Sequence, residues 1–155
     1  MTGYDIRPAT SADLPRVRQL VREYVEWIGL DLAFQEVEEE IEGLPGDYAP
    51  PRGALFVACK DGTPVATIGL RPLEGAVCEM KRLYVHPSAR GHGLARTLVL
   101  RLIDEARALR YQEMRLDTLP MMGDAQALYA ALDFVDIPPY YDTPIAGTRF
   151  MAKRL

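Results

Sequence analysis

Cysteine and histidine are scarce in this chain, with two of each among 155 residues. Cys59 and Cys78 lie in separate apolar runs and form no Cys-x-x-Cys pair, so we expect reduced thiols in or near the core. His86 lies in a proline turn and His92 in a glycine turn, without the spacing of metal ligands. The sequence therefore predicts no metal site.

An excess of basic residues is also missing, since 18 Lys and Arg stand against 22 Asp and Glu and the net charge is -4. This balance lacks the electrostatic footprint of a nucleic-acid-binding protein. No apolar run approaches the length of a membrane span, and the N-terminus lacks the basic, apolar and small-residue zones of a secretion signal. We therefore expect a soluble, cytoplasmic protein with no nucleic-acid or membrane partner.

The length and the order of predicted elements indicate a single α/β domain over residues 1–155. Apolar alternation and turn residues predict strands near 4–7, 54–60, 65–70, 77–85, 113–119, 134–136 and 148–153. Helical spacing predicts helices from Thr10 or Ser11 to Ile28, from about Phe34 to Leu44, from Leu94 to Ala106 and from Asp124 to Leu132. The strand–helix–strand unit from 77 to 119 must form a right-handed parallel crossover. At this unit the antiparallel pairing of the earlier strands changes to parallel pairing. Ligand clefts form at such positions.

The segment Arg90-Gly91-His92-Gly93-Leu94-Ala95 joins that strand to that helix. Its small residues let successive backbone N–H groups turn toward one point, and the N-terminus of the helix adds a partial positive charge there. Arg90 can add a forked donor. The segment therefore predicts a phosphate-binding loop.

Other glycine-loop interpretations fit the sequence less well. The loop of a nucleoside triphosphatase needs a Lys-Ser/Thr pair after its last glycine, where this chain has Leu94 and Ala95. A dinucleotide fingerprint is closer, because Asp117 ends the next strand at a distance of roughly 20 residues. However, Arg96 replaces the third glycine, and too little chain follows for a doubly wound sheet. The glycines could also form only a helix-capping turn.

From Cys78 to Ala95 the sequence resembles the acetyl-CoA-binding motif of the GCN5-related N-acetyltransferases, Gln/Arg-x-x-Gly-x-Gly/Ala after a Leu-x-Val-x-Pro strand. The resemblance implies the fold of that family, a twisted mixed sheet with helices on both faces. It further implies that the pantetheine arm of acetyl-CoA lies on an open strand edge and that the pyrophosphate meets the loop N–H groups. The implied acetyl-CoA-binding residues are Leu83, Tyr84, Val85, Arg90, Gly91, His92, Gly93, Leu94, Ala95 and Arg96.

The segment from Gln126 to Phe134 resembles the second motif of the family, Ala-x-x-Leu-Tyr-x-x-x-Gly-Phe. By this resemblance Tyr129 protonates the departing CoA thiolate, although a tyrosine on an amphipathic helix is also an ordinary core residue. Asp133 replaces the helix-ending glycine, and Asp can adopt the left-handed conformation at some cost. The asparagine that members often carry near Met122 is missing, which puts one side-chain contact to CoA in doubt.

Glu79 lies six residues before Val85, where the histone-acetylating branch of the family carries a glutamate that acts as general base. An amine is protonated at neutral pH and must lose a proton before it attacks a thioester. A partly buried carboxylate could have the raised pKa that this step needs, whereas an exposed one would only pair with Lys81 or Arg82. The other candidates for the base are Asp117, His86 and a water chain to solvent.

The sequence thus predicts an acetyl-CoA-dependent N-acetyltransferase that transfers the acetyl group directly to the amine of a small molecule. A protein or peptide amine is the alternative acceptor, and a catalytically silent acyl-CoA-binding module is the alternative function. Tyr129 together with Glu79 favours the enzyme, because binding alone needs neither residue.

The acceptor itself is open. Arg71, Lys81 and Arg82 with Tyr140 and Tyr141 could frame the carboxylate of an amino acid. The acidic run from Glu36 to Glu40 is either a solvated helix face or an attractor for a cationic acceptor. Members of the family often dimerise, so a homodimer is a further expectation.

Overall fold

The computed structural model describes residues 3–30 and 36–155 of the chain. Seven strands form one sheet in the order β1-β2-β3-β4-β5-β7-β6. The strands are β1 (Asp5–Pro8), β2 (Ala54–Lys60), β3 (Thr63–Glu74), β4 (Val77–Val85), β5 (Glu113–Thr118), β6 (Val135–Ile137) and β7 (Arg149–Arg154). Only the β4–β5 pair is parallel, and every other neighbouring pair among these strands is antiparallel. The predicted mixed sheet is confirmed.

Within the described residues, four α-helices cover the two faces of this sheet. They are α1 (Leu14–Ile28), α2 (Val37–Glu42), α3 (Leu94–Ala108) and α4 (Gly123–Ala131). Apolar side chains of α3 and α4 pack on one face, and those of α1 and α2 pack on the other. The α/β fold with helices on both faces is therefore confirmed. The predicted start of the second helix at Phe34 lies outside the described residues.

Strands β4 and β5 are paired over only part of their length. The pairing runs from Val77 opposite Glu113 to Glu79 opposite Arg115. Beyond Glu79 the β4 strand continues to Val85 without a described partner in β5, so its backbone edge is open toward that side. The switch from antiparallel to parallel pairing thus leaves a gap in the middle of the sheet, as such switches do in open α/β sheets.

The open part of β4 contains a β-bulge. Gly69 of β3 faces Lys81 and Thr67 faces Tyr84, so β4 carries one residue more than β3 between these pairs. Arg82 in the bulge has a φ of 62°, a left-handed conformation that is uncommon outside glycine. The buried Thr67 hydroxyl donates a hydrogen bond of 2.8 Å to the Arg82 carbonyl oxygen and stabilises this conformation.

Candidate active site

The gap between β4 and β5 opens into a cavity of about 650 Å³. The open part of β4 forms one wall, and Leu116, Asp117 and Leu119 form the wall on the β5 side. The N-terminus of α3 and residues of α4 form a further part of the lining, which we call the glycine-loop end. Tyr24, Trp27 and Ile28 from the last turns of α1 form another part, which we call the α1 end, and the Tyr24 ring lies 6.0 Å from the ring of Tyr84.

The glycine-loop end is built for a close approach to the backbone. Gly91 and Gly93 have φ values of +83° and +72°, and an added Cβ at either position would meet no atom within 4 Å. Gly93 is the N-cap of α3, so the first N–H groups of this 15-residue helix point out of its end without intrahelical partners. Together with the helix dipole, these groups can bind a phosphate.

Arg90 flanks the same loop. Its Nε donates a hydrogen bond of 3.0 Å to the Val85 carbonyl oxygen, and its guanidinium lies 5.9 Å from the centre of the Tyr84 ring. These two contacts tie the loop to the end of β4. They keep the positive charge of Arg90 at the cavity, where a bound phosphate would meet it.

Most of the predicted acetyl-CoA-binding residues line this cavity, namely Leu83, Tyr84, Val85, Arg90, Gly91, Gly93, Leu94 and Ala95. His92 and Arg96 are not among the lining residues. The His92 ring instead lies 5.3 Å from the ring of Tyr4 in a tilted contact, and the Arg96 side chain is exposed. Their predicted contact with the pyrophosphate would use backbone N–H groups, which these side-chain positions leave untested.

Tyr129 reaches the cavity from α4. Its ring packs at 5.8 Å on Phe134, and burial raises the pKa of its hydroxyl above the usual value. A phenol with a raised pKa stays protonated at neutral pH and can act as a proton donor.

Glu79 is 2% exposed and does not line the cavity. Arg71 donates to its Oε1 through Nε at 2.9 Å and lies at 2.8 Å through the second nitrogen. The Tyr140 hydroxyl donates to Oε2 at 2.6 Å. Both carboxylate oxygens of Glu79 are therefore held by partners from β3 and from the loop before β7.

Lys81 and Asp117 form an ion pair of 3.5 Å on the wall of the cavity, and the Tyr141 hydroxyl donates to Asp117. Burial raises the pKa of the Asp117 carboxyl, but Lys81 and Tyr141 outweigh it and leave the pKa below its usual value. Burial also lowers the pKa of the Lys81 ammonium, and the charge of Asp117 opposes this shift only in part. Two titratable groups with displaced pKa values thus meet in the gap.

Of the two interpretations of the acidic run, the solvated helix face is wrong for Glu40. Its carboxylate lies 2.6 Å from Nε of the buried Arg82 and 3.6 Å from Arg71, whereas Glu38 and Glu39 on the same helix are exposed. Burial alone would raise the pKa of Glu40, but these arginines lower it below the usual value. The sequence carries no local signal for this contact, because Arg82 follows Glu40 by 42 positions.

The comparisons with known proteins agree with this geometry. Residues 14–134 match the family described as "Acetyltransferase (GNAT) family". The chain belongs to this family. An uncharacterized N-acetyltransferase of Schizosaccharomyces pombe is 39% identical over 141 residues, which cover 90% of this chain and 86% of the relative.

Solved structures share the GNAT fold over nearly the whole chain. An acetyltransferase from Streptococcus agalactiae has a TM-score of 0.83 at 23% identity, with 100% of both chains covered. The PaiA N-acetyltransferase of Thermoplasma acidophilum, solved in complex with coenzyme A, has a TM-score of 0.77 at 21% identity and covers 98% of this chain and 99% of its own. Membership of the family makes this protein an acyltransferase.

Membrane-spanning helices and clusters of metal ligands are both absent from the described residues. Within residues 3–30 and 36–155, no helix is long and apolar enough to cross a membrane. Among the same residues, no three His, Cys, Asp or Glu side chains lie close enough together to hold a metal ion.

Sequence reasoning missed the contribution of α1 to the cavity. Tyr24 fits the apolar spacing of α1, which by itself indicates a core residue, and no motif includes Trp27. The available signal is that Trp27 falls off the buried stripe of the helix, where a large aromatic side chain has no packing function.

Proposed function

We propose that this protein transfers the acetyl group of acetyl-CoA directly to the amine of a small molecule. One observation carries the proposal: a single cavity connects the anion-binding end of α3 and the open edge of β4 to the titratable side chains Tyr129, Lys81 and Asp117. Its volume of about 650 Å³ is in the range of sites for small molecules. The Thermoplasma relative was solved with coenzyme A, which supports the choice of acyl donor.

The residues at the glycine-loop end fit a CoA ester. The open space beside Gly91 and Gly93 leaves room for a pyrophosphate against the N–H groups of α3, and Arg90 supplies a cation. The unpaired edge from Leu83 to Val85 offers backbone groups to the amides of a pantetheine arm. Bound there, acetyl-CoA supplies a thioester carbonyl that an amine can attack.

Tyr129 is the proposed proton donor to the leaving thiolate. It lines the cavity from α4, and its hydroxyl carries a proton at neutral pH that the departing thiolate can take up. Its packing on Phe134 fixes the direction of the ring.

For removal of the amine proton we favour Asp117 by its position, because its carboxylate faces the cavity beside Lys81. Its pKa is lowered, so it takes up a proton less readily than a carboxylate with the raised pKa expected of the base. Glu79, to which the family resemblance points, remains the second candidate. Its carboxylate lies on the same side of β4 as Lys81, two residues away, but is occupied by Arg71 and Tyr140. His86 is outside the lining, and its Nδ1 is hydrogen-bonded to Ser88.

The burial of both thiols supports direct transfer, without an acetylated cysteine as an intermediate. Burial raises the pKa of the Cys78 thiol to about 12, and its Sγ donates to the Glu113 carbonyl oxygen. Burial also raises the pKa of Cys59, which lies in β2 away from the cavity. Neither thiol is placed or ionised to carry an acetyl group.

The test is release of free CoA thiol from acetyl-CoA in the presence of amino acids, arylalkylamines, polyamines and short peptides. We expect turnover with at least one small amine and an N-acetyl product of the matching mass. If acetyl-CoA binds in calorimetry but no amine is acetylated, the protein is a binding module. If only peptides are acetylated, the assignment to a small-molecule acceptor is wrong.

A further inference from the structure

The charged side chains that β3, β4 and β5 bring to the α1 end of the cavity are already paired within the fold. Lys81 pairs with Asp117 at 3.5 Å, and Arg82 pairs with Glu40 at 2.6 Å. Arg71, which borders this cluster, pairs with Glu79 at 2.8 Å. Among the described residues, each of the three cations in this cluster therefore has a carboxylate partner.

This pairing argues against two classes of acceptor. The carboxylate of an amino acid needs a cation, and taking one from its partner would leave a buried carboxylate uncompensated. The second ammonium of a polyamine needs an anion and would impose the same cost on Lys81 or Arg82. A charged group other than the reacting amine is therefore disfavoured at this end.

The remaining surface of the α1 end is aromatic and apolar. Trp27 is 51% exposed although it is the largest side chain of α1, and it follows Tyr24 by three positions, so these two side chains are neighbours on the surface of the helix. Met121, at 44% exposure, also lines the cavity. Large apolar groups exposed at the mouth of a cavity commonly contact a ligand.

We propose that the acceptor is a primary amine on an aromatic or bulky apolar body, which packs against Trp27 and directs its nitrogen toward Asp117. The inference rests on the proposed function and names the class of its substrate. An indole offers a wide face to an aromatic ring and also attracts a nearby ammonium group. A compact apolar amine would place its only charge beside Asp117 and need no further charged contact.

Trp27 is the only tryptophan of the chain, so its fluorescence reports directly on this end of the cavity. The protein, saturated with CoA, is titrated with 2-phenylethylamine, spermidine, alanine and an alanyl peptide. We expect a saturable change of Trp27 emission with phenylethylamine. We also expect its kcat/KM in the thiol-release assay to exceed those of the other three amines by about 10-fold or more.

Two variants separate a contact from a general effect. Trp27→Ala should raise the KM for phenylethylamine by about 10-fold and leave the affinity for acetyl-CoA unchanged, and Trp27→Phe should recover most of the loss. Leu100→Ala removes another exposed apolar side chain, on α3 and outside the cavity, and should change neither quantity.

The possible outcomes distinguish this inference from the proposed function. A preference for spermidine, alanine or the peptide leaves acetyl transfer intact and overturns the inference. A Trp27→Ala variant with weaker acetyl-CoA binding and an unchanged KM for the amine also overturns it, because Trp27 would then contact the acyl donor. Saturable quenching by phenylethylamine without acetylation of any amine supports the binding site and contradicts the proposed function.

Discussion

The two ends of the cavity recognise ligands by different means. The glycine-loop end presents backbone: N–H groups of α3, the open edge of β4 and space created by glycines. The α1 end presents side chains, which come from α1, β4 and β5 and are fixed by pairs with α2 and with the loop before β7. Backbone recognition tolerates sequence change, whereas the side-chain end can be altered residue by residue. An acyltransferase keeps the same acyl donor, which suits the backbone of the glycine-loop end. Its acceptor varies, which suits the side chains of the α1 end.

Because the charged side chains of the α1 end are fixed by ion pairs, we expect these pairs also to stabilise the fold. Glu40→Ala should show the largest effect. The substitution removes the Glu40 carboxylate from its ion pair with Arg82, which is 5% exposed. We expect the free energy of unfolding to fall by about 3–5 kcal/mol, measured by urea denaturation. Glu38→Ala is the matched control, since Glu38 pairs with Arg22 on the surface and should cost at most about 1 kcal/mol.

Low pH should weaken the ion pair between Glu40 and Arg82. The pKa of Glu40 is lowered in the folded protein, so its contribution to stability is complete above the unfolded value of about 4.3 and is lost as the pH falls through the folded-state pKa. The stability difference between the wild type and Glu40→Ala should therefore shrink in this acidic range. Equal stability of the two proteins at pH 7 would show that the Glu40–Arg82 ion pair does not stabilise the fold.

Tyr129→Phe tests the proposed proton donor, which reaches the cavity from α4. It keeps the ring and its contact with Phe134 but removes the hydroxyl, so kcat should fall by about 10- to 1,000-fold with little change in melting temperature. Tyr111→Phe is the control. It removes a hydroxyl that donates to the Arg52 carbonyl oxygen outside the cavity, and it should change stability but not turnover. Unchanged turnover in Tyr129→Phe would reduce Tyr129 to a core aromatic.

Gly93→Val tests the backbone character of the glycine-loop end. A branched side chain would occupy the space in front of the α3 N–H groups, and we expect acetyl-CoA affinity in calorimetry to fall by about 10- to 100-fold. Gly75→Val is matched in backbone strain, because Gly75 also has a positive φ and an open Cβ position, but it lies in the β3–β4 turn. Similar losses in the two variants would trace the effect to strain and contradict the proposed phosphate site.

The two ends also differ in how far the sequence predicts them. The glycine-loop end is formed by neighbouring residues, so strand, loop and helix could be read together, and the left-handed conformation expected of Asp133 is confirmed by its φ of 70°. The α1 end depends on contacts between distant residues, such as Glu40 with Arg82. The φ of 62° at Arg82 follows from the register of β3 against β4, which no local pattern at an arginine indicates.

The smallest expected effect concerns the base, and a matched pair of amide variants addresses it. Asp117→Asn and Glu79→Gln keep shape and hydrogen-bonding capacity but cannot take up a proton. Because Asp117 faces the cavity, we expect Asp117→Asn to lower kcat by about 10-fold at pH 7, and Glu79→Gln to lower it less. The deficit should shrink as rising pH supplies more free amine.

Melting temperatures of both variants control for the lost ion pairs with Lys81 and Arg71. A larger and pH-dependent loss in Glu79→Gln would assign the base to Glu79, as the sequence suggests. In that case Tyr140, which donates to Glu79, would have to move before the Glu79 carboxylate could reach an amine. Tyr140→Phe, with Glu79 unchanged, should then raise kcat. A loss that stays constant with pH in both variants would leave proton removal to water, and the two carboxylates would then only position the acceptor.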